Sequence, residues 1–152
     1  IEVYKFDSYM EMTCIKKMEG HKSKVNAIEL LKDTYYILSG DDTCEIWCWD
    51  IRTLNCVQSF RFEFYINIKQ IICISSSEFM TASHRLYKFF FKTINNWTLS
   101  DYVVKQKEFK LINVDFNPIN EECVVCSAVD LWYVSIFSGE QTKVLSGLSG
   151  SN

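Results

Sequence analysis

Proline occurs once and glycine only five times in these 152 residues. That scarcity excludes a Pro-rich spacer, a Gly/Ser linker and a collagen-like repeat. It also leaves turn-making to Asn, Asp and Ser. No apolar run approaches the roughly 20 residues of a membrane-spanning helix, and no N-terminal signal segment is apparent. Lys and Arg are scattered and the net charge is −3, so the basic face expected of a nucleic-acid binder is missing. The nearest approaches, Lys16-Lys17 and Lys22 with Lys24, read as solvated edges. These features argue for no nucleic-acid partner and no membrane partner. Sustained i, i+3, i+4 periodicity is absent as well, which disfavours helices.

Hydrophobic residues make up 48 % of the chain and aromatics 15 %. Enough apolar surface is therefore present to offset the entropy of ordering one domain, and the aromatic content favours strands. Seven cysteines stand at 14, 44, 48, 56, 73, 123 and 126. Their odd number and their place in apolar runs point to buried free thiols in a reduced, intracellular setting. The chain opens on Ile1 within an alternating stretch, so we expect a segment of a larger protein, cytoplasmic in location.

Strand signals recur at short, even spacing. Val25–Leu30, Tyr35–Ser39, Cys44–Trp49 and Cys56–Phe60 form the best unit, with turns at Lys32-Asp33-Thr34, Gly40-Asp41-Asp42-Thr43 and Asp50–Thr53. Ile46 and Cys48 share one face of the third strand, and Trp47 and Trp49 the other. Both faces are apolar, as suits a sheet packed between neighbours. About 85 residues on, Val134-Ser135 occupies the positions of Trp49-Asp50, and Thr142–Leu145 matches Val57–Phe60. Between them lies a weaker copy with strands at Ile68–Ile74, Glu78–Ser83 and Leu86–Phe91. Its equivalents of Trp49-Asp50 fall near Phe91-Lys92, and its outer strand at Asp101–Val104 follows an Asn95-Asn96 loop. Upstream, Ile1–Phe6 and Thr13–Met18 read as a third and an outer strand. The period is about 42 residues. It divides the chain into a partial unit over 1–18, a best-kept unit over 19–60, a degenerate one over 61–104 and a diverged one over 105–148.

Gly20-His21, Ser39-Gly40-Asp41-Asp42-Thr43 and Ile46-Trp47-Cys48-Trp49-Asp50 together resemble the WD-repeat family. The resemblance covers nearly the whole chain by period, but only about residues 12–60 by motif. It implies an all-β fold, a partial β-propeller of about three and a half four-stranded blades. It also implies a structural hydrogen-bond chain through Trp49, Ser39, His21 and one of Asp41 or Asp42; the structural residues it singles out are His21, Ser39, Trp49 and Asp50, with Asp41 or Asp42 in support. The residue types suit such a chain, because an indole only donates while a hydroxyl and an imidazole do both. Thr43 stands where the family most often has its Asp, and Cys44 where such a turn often has Gly, so an altered, strained turn is expected. Residues 51–58 and the aromatic-rich flanking units are similar to long WD-repeat proteins of cilia and flagella.

Chemistry-bearing clusters are weak. Cys123-Val124-Val125-Cys126 has the CxxC spacing of zinc sites, but no second pair exists and residues three apart on a strand face opposite ways. Cys44 and Cys48 would lie about 13 Å apart on a strand, too far to share an ion. His84 and Ser75-Ser76-Ser77 read as turn residues, and no phosphate-binding or nucleophile-elbow motif occurs. We therefore expect no enzyme, no metal and no cofactor, but a scaffold docking other proteins or peptides beside the remaining blades of its parent chain. Tyr9, Phe62, Phe64, Tyr65 and Trp97, read as loop aromatics, are the candidate contacts. The alternatives are an enzyme on a propeller-like scaffold and a β-sandwich binding module.

Overall fold

A computed structural model describes residues 1–61, 67–83, 86–93, 96–103, 111–127, 130–135 and 141–146. Fourteen strands lie among them. β1 (Glu2–Phe6) and β2 (Met12–Lys17) form a two-stranded ribbon. β3 (Val25–Leu30), β4 (Tyr36–Asp41), β5 (Glu45–Asp50) and β6 (Asn55–Arg61) form the first four-stranded sheet, in sequence order. β7 (Gln70–Cys73), β8 (Glu78–Ala82), β9 (Leu86–Thr93) and β10 (Asn96–Val103) form the second. β11 (Leu111–Asn117), β12 (Glu122–Ser127), β13 (Asp130–Ser135) and β14 (Gln141–Ser146) form the third. Every neighbouring pair is antiparallel. Each sheet is thus a simple meander, not the crossed connection of a Greek-key sandwich, which removes the β-sandwich alternative.

The sheets stand side by side through their first strands, β7 touching β3 and β4 on one side and β11 on the other. That is a radial array of blades, and the hydrophobic cores lie between blades. Leu38, Ile46 and Cys48 of the first sheet meet Ile71 and Phe79 of the second, with Ile68 from the segment just before β7. Ile72, Met80 and Ala82 of the second meet Val114, Cys123, Val125 and Val134 of the third. The alternation of the pleat sends Ile71 and Phe79 one way and Ile72 and Met80 the other. Each fully buried Leu, Ile or Phe here contributes roughly 1.5–3 kcal/mol.

Two glycines permit the closest approaches. A Cβ on Gly40 would lie 2.5 Å from Cγ2 of Ile68 in the next blade, and one on Gly20 would lie 2.1 Å from the Trp47 ring. Elsewhere the turns depart from expectation. Positive φ falls on Met10, Asp33, Cys44, Leu54 and Glu121, of which only Asp33 is a residue suited to it. Cys44, at φ 71, occupies the turn position where Gly was missed, and its side chain is buried in the first interblade core. Burial of that thiol offsets a backbone cost of about 1–2 kcal/mol.

Two boundaries differ from the sequence reading. The outer strand of the second blade begins at Asn96, so Trp97 stands in a strand opposite Phe91 and not in a loop. Pairing also moves the Trp49-Asp50 equivalents of that blade from Phe91-Lys92 to Phe89-Phe90. Phe79 faces Phe89 as Ile37 faces Trp49. Ala82 pairs with Leu86, four residues on, where Gly40 pairs with Ile46, six residues on.

Candidate functional site

Ser39 and Asp41 sit two apart on β4 and so project from the same face. Trp49 reaches Ser39 from the neighbouring β5, and His21 enters from the segment preceding β3. The Trp49 indole Nε1 donates to Ser39 Oγ at 2.8 Å. His21 Nε2 lies 2.7 Å from the same Oγ, and His21 Nδ1 lies 2.7 Å from Asp41 Oδ2. Because the indole only donates, the Ser39 hydroxyl is free to donate onward to Nε2, which leaves Nδ1–H for the carboxylate. Asp41 Oδ1 accepts from the Thr43 backbone at 2.8 Å, the Thr43 hydroxyl at 3.0 Å and the Glu45 backbone at 3.0 Å. Of the two candidate aspartates, then, it is Asp41 that meets His21. Asp42 accepts from the Asn26 side chain instead.

Burial pushes the Asp41 carboxyl up, but the Glu45 backbone N–H, the His21 ring and the Thr43 donors outweigh it and hold the group below its usual range. Trp47 and Trp49 stack with centroids 5.3 Å apart, and the His21 ring lies tilted by 44° against Trp47, also at 5.3 Å. Asp50 takes no part in this chain. It accepts from Arg52 at 2.6 and 3.1 Å and from the Arg52 backbone at 2.8 Å. The Arg52 side chain, with its backbone N–H, holds the Asp50 carboxyl down to about 2. The same guanidinium lies 4.7 Å from the Tyr35 ring centroid.

Asp41, His21 and Ser39 in succession have the connectivity of a hydrolase triad. A nucleophile must meet its substrate, however, and Ser39 is 0 % exposed with its oxygen already accepting from Trp49. Nucleophilic attack from this position would require opening the blade. His21, Asp41 and Glu45 also bring three ligand-type atoms within 4.8 Å of one another. Both His21 nitrogens are engaged in hydrogen bonds, so an ion would have to break one of them. The arrangement holds strands together and offers no reacting atom to solvent.

The corresponding positions in the other blades are filled differently. Thr81 occupies the Ser39 position of the second blade, is 1 % exposed, and its hydroxyl has no hydrogen-bond partner among the described residues. In the third blade Val134, opposite Cys123, stands where Trp49 does, and Val125 where Ser39 does. Both valines are buried in the core against the second blade.

The remaining candidates are dispersed. Tyr9, in the β1–β2 turn, is 85 % exposed. Phe62, Phe64, Tyr65 and His84 lie outside the described residues. Cys123 is buried and Cys126 half-buried on opposite faces of β12, and burial pushes the Cys123 thiol up to about 12. Sequence reasoning missed the contacts between blades. Gln70 on β7 clasps the Val114 peptide of β11, donating to its carbonyl at 2.6 Å and accepting from its N–H at 2.9 Å. Beside this clasp a recess of about 290 Å³ opens between the first strands of the three blades, with Glu29 in its lining.

No family model matches the chain. Among curated proteins, the CCR4-associated factor 4 homolog of Vanderwaltozyma polyspora is 34 % identical over 59 residues, or 39 % of this chain and 8 % of that protein. Among solved structures, the β-propeller domain of Cps50 (Swd1) from Myceliophteria thermophila superposes with a TM-score of 0.76 at 12 % identity. The match takes in 91 % of this chain and 46 % of that one. At such identity the likeness is one of fold, and it agrees with the blades described above. The chain is a partial β-propeller that spans about half the length of the solved domain it matches.

Proposed function

We propose that this chain is part of a non-catalytic, WD-repeat-type scaffold on which other proteins or peptides dock. The observation that carries the reading is a contrast in exposure. The one hydroxyl–imidazole–carboxylate series among the described residues is sealed inside a blade. Large apolar side chains meanwhile stand at turns, Tyr9 85 %, Ile119 89 % and Tyr35 57 % exposed. Residues of that kind bury much area at low entropic cost and so suit interfaces. The name of the curated relative records association with CCR4, in keeping with such a role. The apolar faces left open on the ribbon and on β3 (Phe6, Met12, Ile28, Leu30) call for further blades of the parent chain as the first neighbours. Free thiols throughout the described residues favour a reducing, cytoplasmic setting. A ciliary setting rests on residues 51–58 and the aromatic-rich flanking units.

Selection of a displayed random-peptide library on the immobilised chain tests the proposal, with the heat-unfolded chain used to remove nonspecific binders. We expect a convergent motif that binds the folded chain alone. Absence of convergence would overturn the docking role, and so would hydrolysis of a p-nitrophenyl ester by the chain that Ser39→Ala abolishes.

A further inference from the structure

The recess between β3, β7 and β11 combines features that a single type of side chain satisfies. Its walls include Ile72, Ile74, Val114 and Phe116, and its volume of about 290 Å³ is at the small end for a ligand site. It therefore fits one long side chain better than a whole metabolite. The polar groups within it are largely engaged. The Gln70 amide is clasped to Val114. The Cys73 sulfur accepts from the Lys32 backbone at 3.1 Å and donates to the Ser75 carbonyl. Asp115 accepts from the Phe116 backbone.

Glu29 differs. It is half-buried and forms no ion pair among the described residues. Burial pushes its carboxyl above the usual range, partly countered by the Cys73 backbone N–H. A carboxylate so placed gains from any cation that reaches it without giving up water elsewhere. Lys32 lines the recess too, but its ammonium makes no ion pair with Glu29.

The lining reaches the end of the blades where first strands turn into second strands, through Lys32, Ile74 and Pro118. There Ile119 stands beside Pro118, almost fully exposed. Apolar walls of Ile72, Ile74, Val114 and Phe116 beside the Glu29 carboxylate match an aliphatic stem that ends in a positive charge. We propose that this recess receives a lysine or arginine side chain of a docked peptide, with Glu29 as its counter-ion and the isoleucine and phenylalanine walls around its stem. The inference rests on the docking role proposed above and supplies its partner chemistry.

Amide NMR titration of the chain tests it, with N-acetyl-lysine methylamide as the probe and the norleucine analogue as its uncharged counterpart. We expect saturable shifts at Lys32, Cys73 and Phe116. Binding should be at least about tenfold weaker for norleucine, and at least about tenfold weaker for lysine after Glu29→Gln. Equal binding of the two probes, or shifts confined to other residues, would overturn the proposal. If Glu29→Gln unfolds the chain, the comparison of the two probes on the unmodified protein still decides. Peptide selection separates the two levels of the argument. A convergent motif without Lys or Arg overturns the cationic recess and leaves docking standing, whereas no motif at all overturns both.

Discussion

Removing the Ser39 hydroxyl is the sharpest test of how the first blade is held. In Ser39→Ala the Trp49 indole N–H and the His21 Nε2 lose partners at 2.8 and 2.7 Å. Ser39 is 0 % and Trp49 2 % exposed, so water cannot readily replace the hydroxyl. Each buried polar group left unpaired costs about 1–3 kcal/mol. With two such groups the expected loss is about 3 kcal/mol, a large part of a small domain's stability. The second blade supplies an internal control. Thr81 holds the same position with a buried hydroxyl that has no partner among the described residues. Thr81→Val replaces that hydroxyl with a methyl group of similar shape and should be neutral or stabilising by about 1 kcal/mol. Urea unfolding measures both variants, provided the slope with denaturant stays constant. The reasoning fails if Ser39→Ala loses less than about 1 kcal/mol, or if Thr81→Val costs as much as Ser39→Ala.

Trp49→Ala should lose about 3–5 kcal/mol in the same assay, as buried aromatic truncations do, and a loss under about 1 kcal/mol would remove Trp49 from the core. Gly40→Ala should destabilise by about 1–3 kcal/mol, because the added Cβ would meet Ile68 at 2.5 Å; unchanged stability would mean that the two blades part there without cost. Acid should unfold the chain. Asp41 and Asp50 are both held below their ordinary values, so their contribution is complete above the unfolded pKa of about 3.9. For Asp50 it is lost between about pH 4 and about pH 2. Asp41→Asn should flatten this acid limb, and an unchanged limb would discount Asp41. Iodoacetamide on the native chain should modify Cys14 and Cys56, which are exposed, and spare buried Cys44, Cys48 and Cys123. Burial holds the Cys48 and Cys123 thiols near 12, and their labelling as fast as Cys14 in peptide mapping would contradict the packing.

The repeat was legible because burial between blades imposes the same alternation on every copy. Ile71 and Ile72, or Phe79 and Met80, are apolar on both faces for that reason. Leu86–Phe91 is recognisable as a strand without any of the motif residues, and it falls within the observed Leu86–Thr93. What failed was local. Asn95-Asn96 read as a loop, yet Asn96 pairs with Thr93 and Trp97 belongs to the sheet. The choice between Asp41 and Asp42 was open on motif spacing, although parity along β4 would have settled it, since only Asp41 shares a face with Ser39. Positive φ at Met10 and Leu54 could not be read from residue type. Those turns are set by the strands they join. The Gln70 clasp and the Glu29 recess join residues on different blades, and a pattern within one repeat carries no information about them.

The three blades show why the motif decays faster than the fold. A buried polar chain is stable when every member is satisfied, and an apolar replacement of the whole set can be equally stable. The first blade takes the former course, with Trp49, Ser39, His21 and Asp41 each bonded. The third goes part of the way to the latter, with Val134 and Val125 at 2 % and 0 % exposure in place of Trp49 and Ser39, while a buried Ser127 holds the position of Asp41. The second keeps the Thr81 hydroxyl without a hydrogen-bond partner among the described residues. All three solutions leave the same meander and the same interblade packing. The dipeptides Gly20-His21 and Trp49-Asp50 therefore mark one way of filling the interior of a blade, while the spacing of apolar strands marks the blade itself.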